Sequence, residues 1–128
     1  MPIFWREGLK GPWIVIVCSD PYSVPESEQA MRAVFAHAPS QRPLRLLVDA
    51  RHSTPPTPGV VARAGAFWQA HTHDMRGARV AIVVAHDGQS MARMSEMSAG
   101  TGPLPFEVAV FRDWKEAEQW LGTPDPDA

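Results

Sequence analysis

A single cysteine, Cys18, stands in the whole sequence, so no intramolecular disulfide can form and an oxidising compartment would gain the chain nothing. Long apolar runs are missing as well. The run from Trp13 to Cys18 falls far short of the ~20 residues that a membrane-spanning helix needs. Trp5, Arg6 and Glu7 stand where a signal peptide would carry its apolar region. These absences lead us to expect a cytoplasmic protein without a membrane span. Lysine is scarce too, only Lys10 and Lys115, and 12 basic residues face 14 acidic ones for a net charge of -2. A nucleic-acid-binding face needs clustered basic charge to neutralise phosphates, so that class is excluded. No Gly-x-Ser-x-Gly elbow occurs, which removes the usual hydrolase nucleophile.

What is present is an ordinary globular composition, 45% hydrophobic and 20% charged over 128 residues, enough for one domain with a continuous core. Ile3 to Glu7, the Gly8–Gly11 turn and Pro12 to Cys18 read as a hairpin, with the two glycines expected to supply positive φ angles. WIVIVC is apolar at every position, as a strand covered on both faces is. Ser23 and Glu26 have capping-box spacing, and Met31, Val34, Phe35 and Ala38 repeat with helical period. LRLLVD reads as the next buried strand, followed by a proline-rich loop from Ala50 to Pro56. Thr57 then caps a helix that Pro58 opens, with Val60, Val61, Ala64, Phe67, Trp68 and His71 as its apolar stripe. Gly65 lies within that helix and implies close packing, since glycine there costs about 1 kcal/mol against alanine.

RVAIVVA is a further buried strand, a helix carries Met91, Met94 and Met97, the loop GTGPLP follows, and Glu107 to Phe111 is the last strand. Asp113 and Glu116 repeat the capping box, Ala117, Trp120 and Leu121 form the buried face, and Gly122 is placed to end the helix in the left-handed conformation. A hairpin followed by strand–helix alternation implies right-handed crossovers. The expected fold is therefore α/β, a mixed sheet of about five strands with an antiparallel N-terminal hairpin, the rest mostly parallel, and about four helices. Residues 1–122 form the domain and 123–128 a flexible tail.

Asp20, Asp49 and Asp87 each follow an expected strand, and His52, Ser53 and His86 lie beside them. Parallel strands bring such positions to one rim, where α/β sheets place ligands. Three carboxylates and two imidazoles there offer cation or acid–base chemistry, although aspartate is also the ordinary turn and capping residue of such loops. Asp49, His52 and Ser53 do not read as a triad, because three residues on one short loop rarely converge on one point. His71, His73 and Asp74 lack zinc spacing and read as a solvated helix end. The three methionines, flexible and adaptable, together with Trp114, mark an expected apolar groove for a ligand or partner. Of the remaining tryptophans, Trp68 and Trp120 fall on buried stripes.

The segments RVAIVV, SMARMSE and FEVAVFRDWKEAEQWLG resemble the C-terminal half of the SpoIIAA-like proteins, within the STAS superfamily of anti-sigma-factor antagonists. The resemblance is carried by Ala92, Arg93 and Met94, by Val110 to Asp113, and by Glu116, Ala117, Trp120 and Leu121; upstream, only element order and VDAR agree. It implies a STAS-like fold. In the partner-switching antagonists a serine of an Asp-Ser-Ser-Gly run at the start of the second helix is phosphorylated. The matching stretch here is Pro56, Thr57, Pro58 and Gly59, so Thr57 is the hydroxyl left at the regulatory position. The resulting expectation is a non-enzymatic, cofactor-free STAS-like module acting through a protein partner or a small apolar ligand, with a homodimer as one form. The alternative is a small-molecule or metal binder, or a minor enzyme, using the rim of Asp20, Asp49, His52 and Asp87.

Overall fold

The structure is a computed structural model that describes residues 3–8, 11–19, 23–37, 43–53, 57–85 and 106–123. Five strands, β1 (Ile3–Glu7), β2 (Ile14–Ser19), β3 (Arg45–His52), β4 (Arg79–Val83) and β5 (Glu107–Phe111), lie in the order β1-β2-β3-β4-β5. β1 is antiparallel to β2 and every other pairing is parallel. The described helices are α1 (Val24–His37), α2 (Pro58–Ala70), α3 (Thr72–Met75) and α4 (Trp114–Leu121). This is the mixed α/β sheet that the alternating pattern predicts. The calls on Asp20, His86 and Asp87, on the methionine helix, on Ala38, on the loop through Pro105 and on the tail from Pro124 onward lie outside the described residues.

Alternation along the inner strands splits the core between the two faces of the sheet. Ile14, Ile16, Leu46 and Val80 face α1 and α2, where Ala30, Met31 and Val34 close the layer. Val15, Leu47, Ala81 and Val83 face the other way, against Ala117 and Leu121 of α4. Both faces of β2, β3 and β4 are thus apolar, which is why these strands read as unbroken hydrophobic runs.

The helix starts follow the expected capping chemistry. The Ser23 hydroxyl accepts from Glu26 N at 3.4 Å, Thr57 Oγ1 accepts from Val60 N at 3.4 Å, and Asp113 Oδ1 accepts from Lys115 N at 2.9 Å. Each satisfies one of the orphan donors of a first turn.

The glycines behave differently from expectation. Among the described residues only Gly77 has positive φ, 72°. Gly8 and Gly11 are required by space instead: a Cβ would lie 2.5 Å from Trp13 Cδ1 at Gly8 and 2.1 Å from Trp13 Cζ3 at Gly11. Trp13, 6% exposed, folds back across its own hairpin, and the turn is glycine-rich to admit the indole. Gly122 is right-handed, φ −81° and ψ −5°, with its N–H bonded to Glu118 O. No left-handed cap is needed there. Arg79 Nη1 donates to the Trp120 carbonyl at 3.2 Å and also to that of Thr123, while the Thr123 hydroxyl donates to Gln119 O at 3.0 Å. A buried cation at a helix C-terminus also suits the dipole.

Candidate functional site: the C-terminal rim of the sheet

Because β2 to β5 run parallel, their C-terminal ends share one rim, and α1, α2 and α4 start from it. The loop expected from Ala50 is strand as far as His52, which pairs with Ser19. Between the Val17–Asp49 and Ser19–His52 pairs, two steps on β2 oppose three on β3. Such a bulge re-aims side chains at a strand end. Asp49 and Arg51, two positions apart on this stretch of β3, hydrogen-bond to each other.

Asp49 is only 5% exposed. Its Oδ1 accepts from Arg51 Nε at 2.9 Å and from the Arg51 backbone N at 3.2 Å, and its Oδ2 accepts from Arg51 Nη2 at 3.0 Å. Burial pushes this carboxyl upward, yet the Arg51 hydrogen bonds and the charges of Arg51 and His52 overcome it and hold Asp49 below the ordinary carboxylate range. The neighbouring Cys18 thiol is pushed up to about 11, first by burial and then by the negative charge of Asp49. That thiol stays protonated and unreactive at neutral pH. The Arg51 guanidinium lies 4.8 Å from the centroid of the Trp114 ring, within cation–π range. Trp114, the first residue of α4, is half-buried against the Val15–Leu47–Val83 layer.

The expected site residues distribute as follows. Asp49, His52 and Ser53 do share the rim, and Thr57 caps α2 just beyond it, exposed. Asp49 does not orient His52 as a triad would require: all of its hydrogen bonds come from Arg51. Among the described residues no three His, Cys, Asp or Glu side chains come together as a cation would need. Trp114 belongs to the rim, in contact with Arg51. His71 departs from the solvated helix end expected of it: α2 stops at Ala70, and the His71 ring lies 4.4 Å from Phe67 and 5.2 Å from Phe35, with Nδ1 3.6 Å from Asp74 Oδ2. Trp68 and Trp120, expected buried, are half-buried, against Phe106 and Phe111 respectively. Arg51 is the rim residue that sequence reading missed. Its signal was the opposite charge two positions from Asp49 on an extended strand, which places both side chains on one face.

Comparison with known proteins agrees with this architecture. The family model described as SpoIIAA-like matches residues 14–122. Among solved structures, an uncharacterised protein of the DUF3478 family from Shewanella loihica PV-4, with a SpoIIAA-like fold, superposes with a TM-score of 0.62. The two are 16% identical, and the match covers 93% of this chain and 91% of that one. No curated protein matches the sequence. None of the described helices is long and apolar enough to cross a membrane.

Proposed function

We infer that this chain, which belongs to the SpoIIAA-like family, is a non-enzymatic regulatory or binding module that works by contact with a protein partner at the C-terminal rim of its sheet. The observation that carries this reading is the pairing of Arg51 with Trp114: a guanidinium 43% exposed in its side chain, fixed by Asp49 and laid over a half-buried indole. Arginine and tryptophan are the residue types that most often anchor protein interfaces. Here both are held in place before any partner arrives.

Catalysis at the same rim has weaker support. Asp49, the buried carboxylate, is already neutralised by its arginine, so it is a poor general base, and the Cys18 thiol is a poor nucleophile for the reason given above. In this reading Thr57 is the residue that regulates the contact. It is exposed and begins α2, where an added phosphoryl group would meet the favourable end of the helix dipole.

The test is site-specific photo-crosslinking of the full chain in its source organism, with a benzophenone side chain at position 53 and a control at the exposed Ala62 of α2. A discrete protein adduct from position 53 that disappears in the Arg51→Ala background is expected. An adduct-free position 53, together with a thermal shift caused by nucleotides, lipids or divalent ions, would overturn the reading in favour of a small-molecule or metal binder.

A further inference from the structure

We propose that the outward edge of the Arg51 guanidinium is a docking fork for a carboxylate, the side chain of an aspartate or glutamate on the protein partner inferred above. The source of the carboxylate rests on that protein-contact reading; the chemistry rests on Arg51 alone.

A guanidinium carries five N–H groups in one plane and can grip a planar acceptor along more than one edge. In Arg51 the edge formed by Nε and Nη2 is filled by the two oxygens of Asp49, at 2.9 and 3.0 Å. The adjoining edge, made of Nη1 and the second Nη2 proton, donates to none of the described residues, and the side chain keeps 43% of its surface in solvent. The filled edge and the Trp114 ring 4.8 Å away hold the plane in one orientation. A long side chain ordinarily loses rotamer freedom when it is captured. Arg51 has already lost it in the free protein.

The acceptor that fits is a monoanion with two coplanar oxygens. A carboxylate meets the open edge with two parallel charge-assisted bonds, whereas an amide oxygen offers one acceptor and no charge. A phosphate dianion would bring a second excess negative charge close to the ionised Asp49, on the same guanidinium. A carboxylate brings one fewer, and at an exposed rim the remaining repulsion between it and Asp49 is screened by water and salt.

The experiment follows the Arg51 guanidinium nitrogen resonances of isotope-labelled full-length protein during titration with N-acetylglutamate amide. Its neutral glutamine counterpart, inorganic phosphate and sodium chloride at matched ionic strength serve as competitors. A saturable shift with the glutamate probe is expected, with about tenfold weaker binding of the glutamine probe. In Arg51→Lys, which keeps the charge and loses the fork, the Trp114 indole signal should respond to the glutamate probe no more than to chloride. Equal response to the glutamine probe, or to chloride, overturns the fork; tighter binding of phosphate overturns the choice of carboxylate. A glutamate-rich peptide that binds no tighter than succinate overturns a protein as its source. Loss of the titration leaves the crosslinking result intact, and loss of the crosslink leaves the titration intact, so the two failures are told apart.

Discussion

Truncating Arg51 to alanine strands a buried carboxylate, and the size of the effect follows from the local geometry. Asp49 is 5% exposed and takes two of its three hydrogen bonds from the arginine side chain. Removing one partner of a fully buried pair costs about 3–5 kcal/mol. Arg51 is 43% exposed, so water enters where the guanidinium was and recovers part of that loss. The backbone N–H of residue 51 also remains. We therefore expect a loss of about 2 kcal/mol at pH 7, read as a lower urea midpoint with unchanged slope, and a Tm lower by about 6 °C. The acid limb changes as well. In the native chain Asp49 titrates below its unfolded value, so its stabilisation is present above about pH 4 and is lost as pH falls through the lowered folded value. In Arg51→Ala, burial is opposed only by the backbone bond and His52, so this acid-side loss shrinks. The double variant with Asp49→Asn, which buries no charge, should recover part of the midpoint. The reasoning is refuted if Arg51→Ala stays within about 0.5 kcal/mol of the parent, or if the two substitutions are additive.

Other expectations follow from the same structure. Gly11→Ala drives a Cβ into the Trp13 ring and should cost about 1–3 kcal/mol, whereas Gly122→Ala meets only ordinary contacts at a right-handed φ and should be neutral or stabilising by about 0.4–1 kcal/mol; paired urea melts compare them. Arg79→Leu removes the side-chain donor from the Thr123 carbonyl and one of two donors from the Trp120 carbonyl, which keeps the Thr123 N–H, and should cost about 1 kcal/mol, with amide hydrogen exchange rising first in the last turn of α4. Burial raises the Cys18 thiol to about 11, so its stabilisation is full below the unfolded value near pH 9 and fades as pH rises toward 11. Cys18→Ala should flatten that alkaline limb, and iodoacetamide should label native Cys18 only as fast as the chain opens.

The fold was legible because each local rule pointed the same way. WIVIVC, LRLLVD and RVAIVVA are apolar on both faces, so they had to be interior strands. The cap residues Ser23, Thr57 and Asp113 each stand one position before their helices. The glycines were misread because a glycine signal does not say which of its properties is in use. At Gly8 and Gly11 the property is the missing Cβ, and the reason is Trp13, which follows the turn and folds back over it. At Gly122 it is neither property: the last turn closes with right-handed backbone, the Gly122 N–H on Glu118 O and the Thr123 hydroxyl on Gln119 O, and Arg79, more than forty residues earlier in the chain, adds donors to the Trp120 and Thr123 carbonyls. Long-range partners of this kind leave no local trace.

The rim was legible in its residue types and not in its pairing. Asp49 was marked by its place near a strand end, but its pairing with Arg51 requires β3 to run on to His52, across residues that read as the start of a proline-rich loop. What that pairing implies becomes clear when the two ends of α4 are set side by side. Each end carries an arginine near a tryptophan ring, Arg79 at 5.7 Å from Trp120 and Arg51 at 4.8 Å from Trp114. Arg79 is the right charge for a helix C-terminus and bonds its carbonyls, so stability of the helix accounts for it. Arg51 sits by the first residue of α4, where a cation opposes the dipole, and a buried carboxylate is needed beside it to offset the mismatch. A well-packed apolar pair in place of Asp49 and Arg51 would serve stability as well or better. Helix stability therefore accounts for one arginine and leaves the other to be explained by what its exposed edge meets.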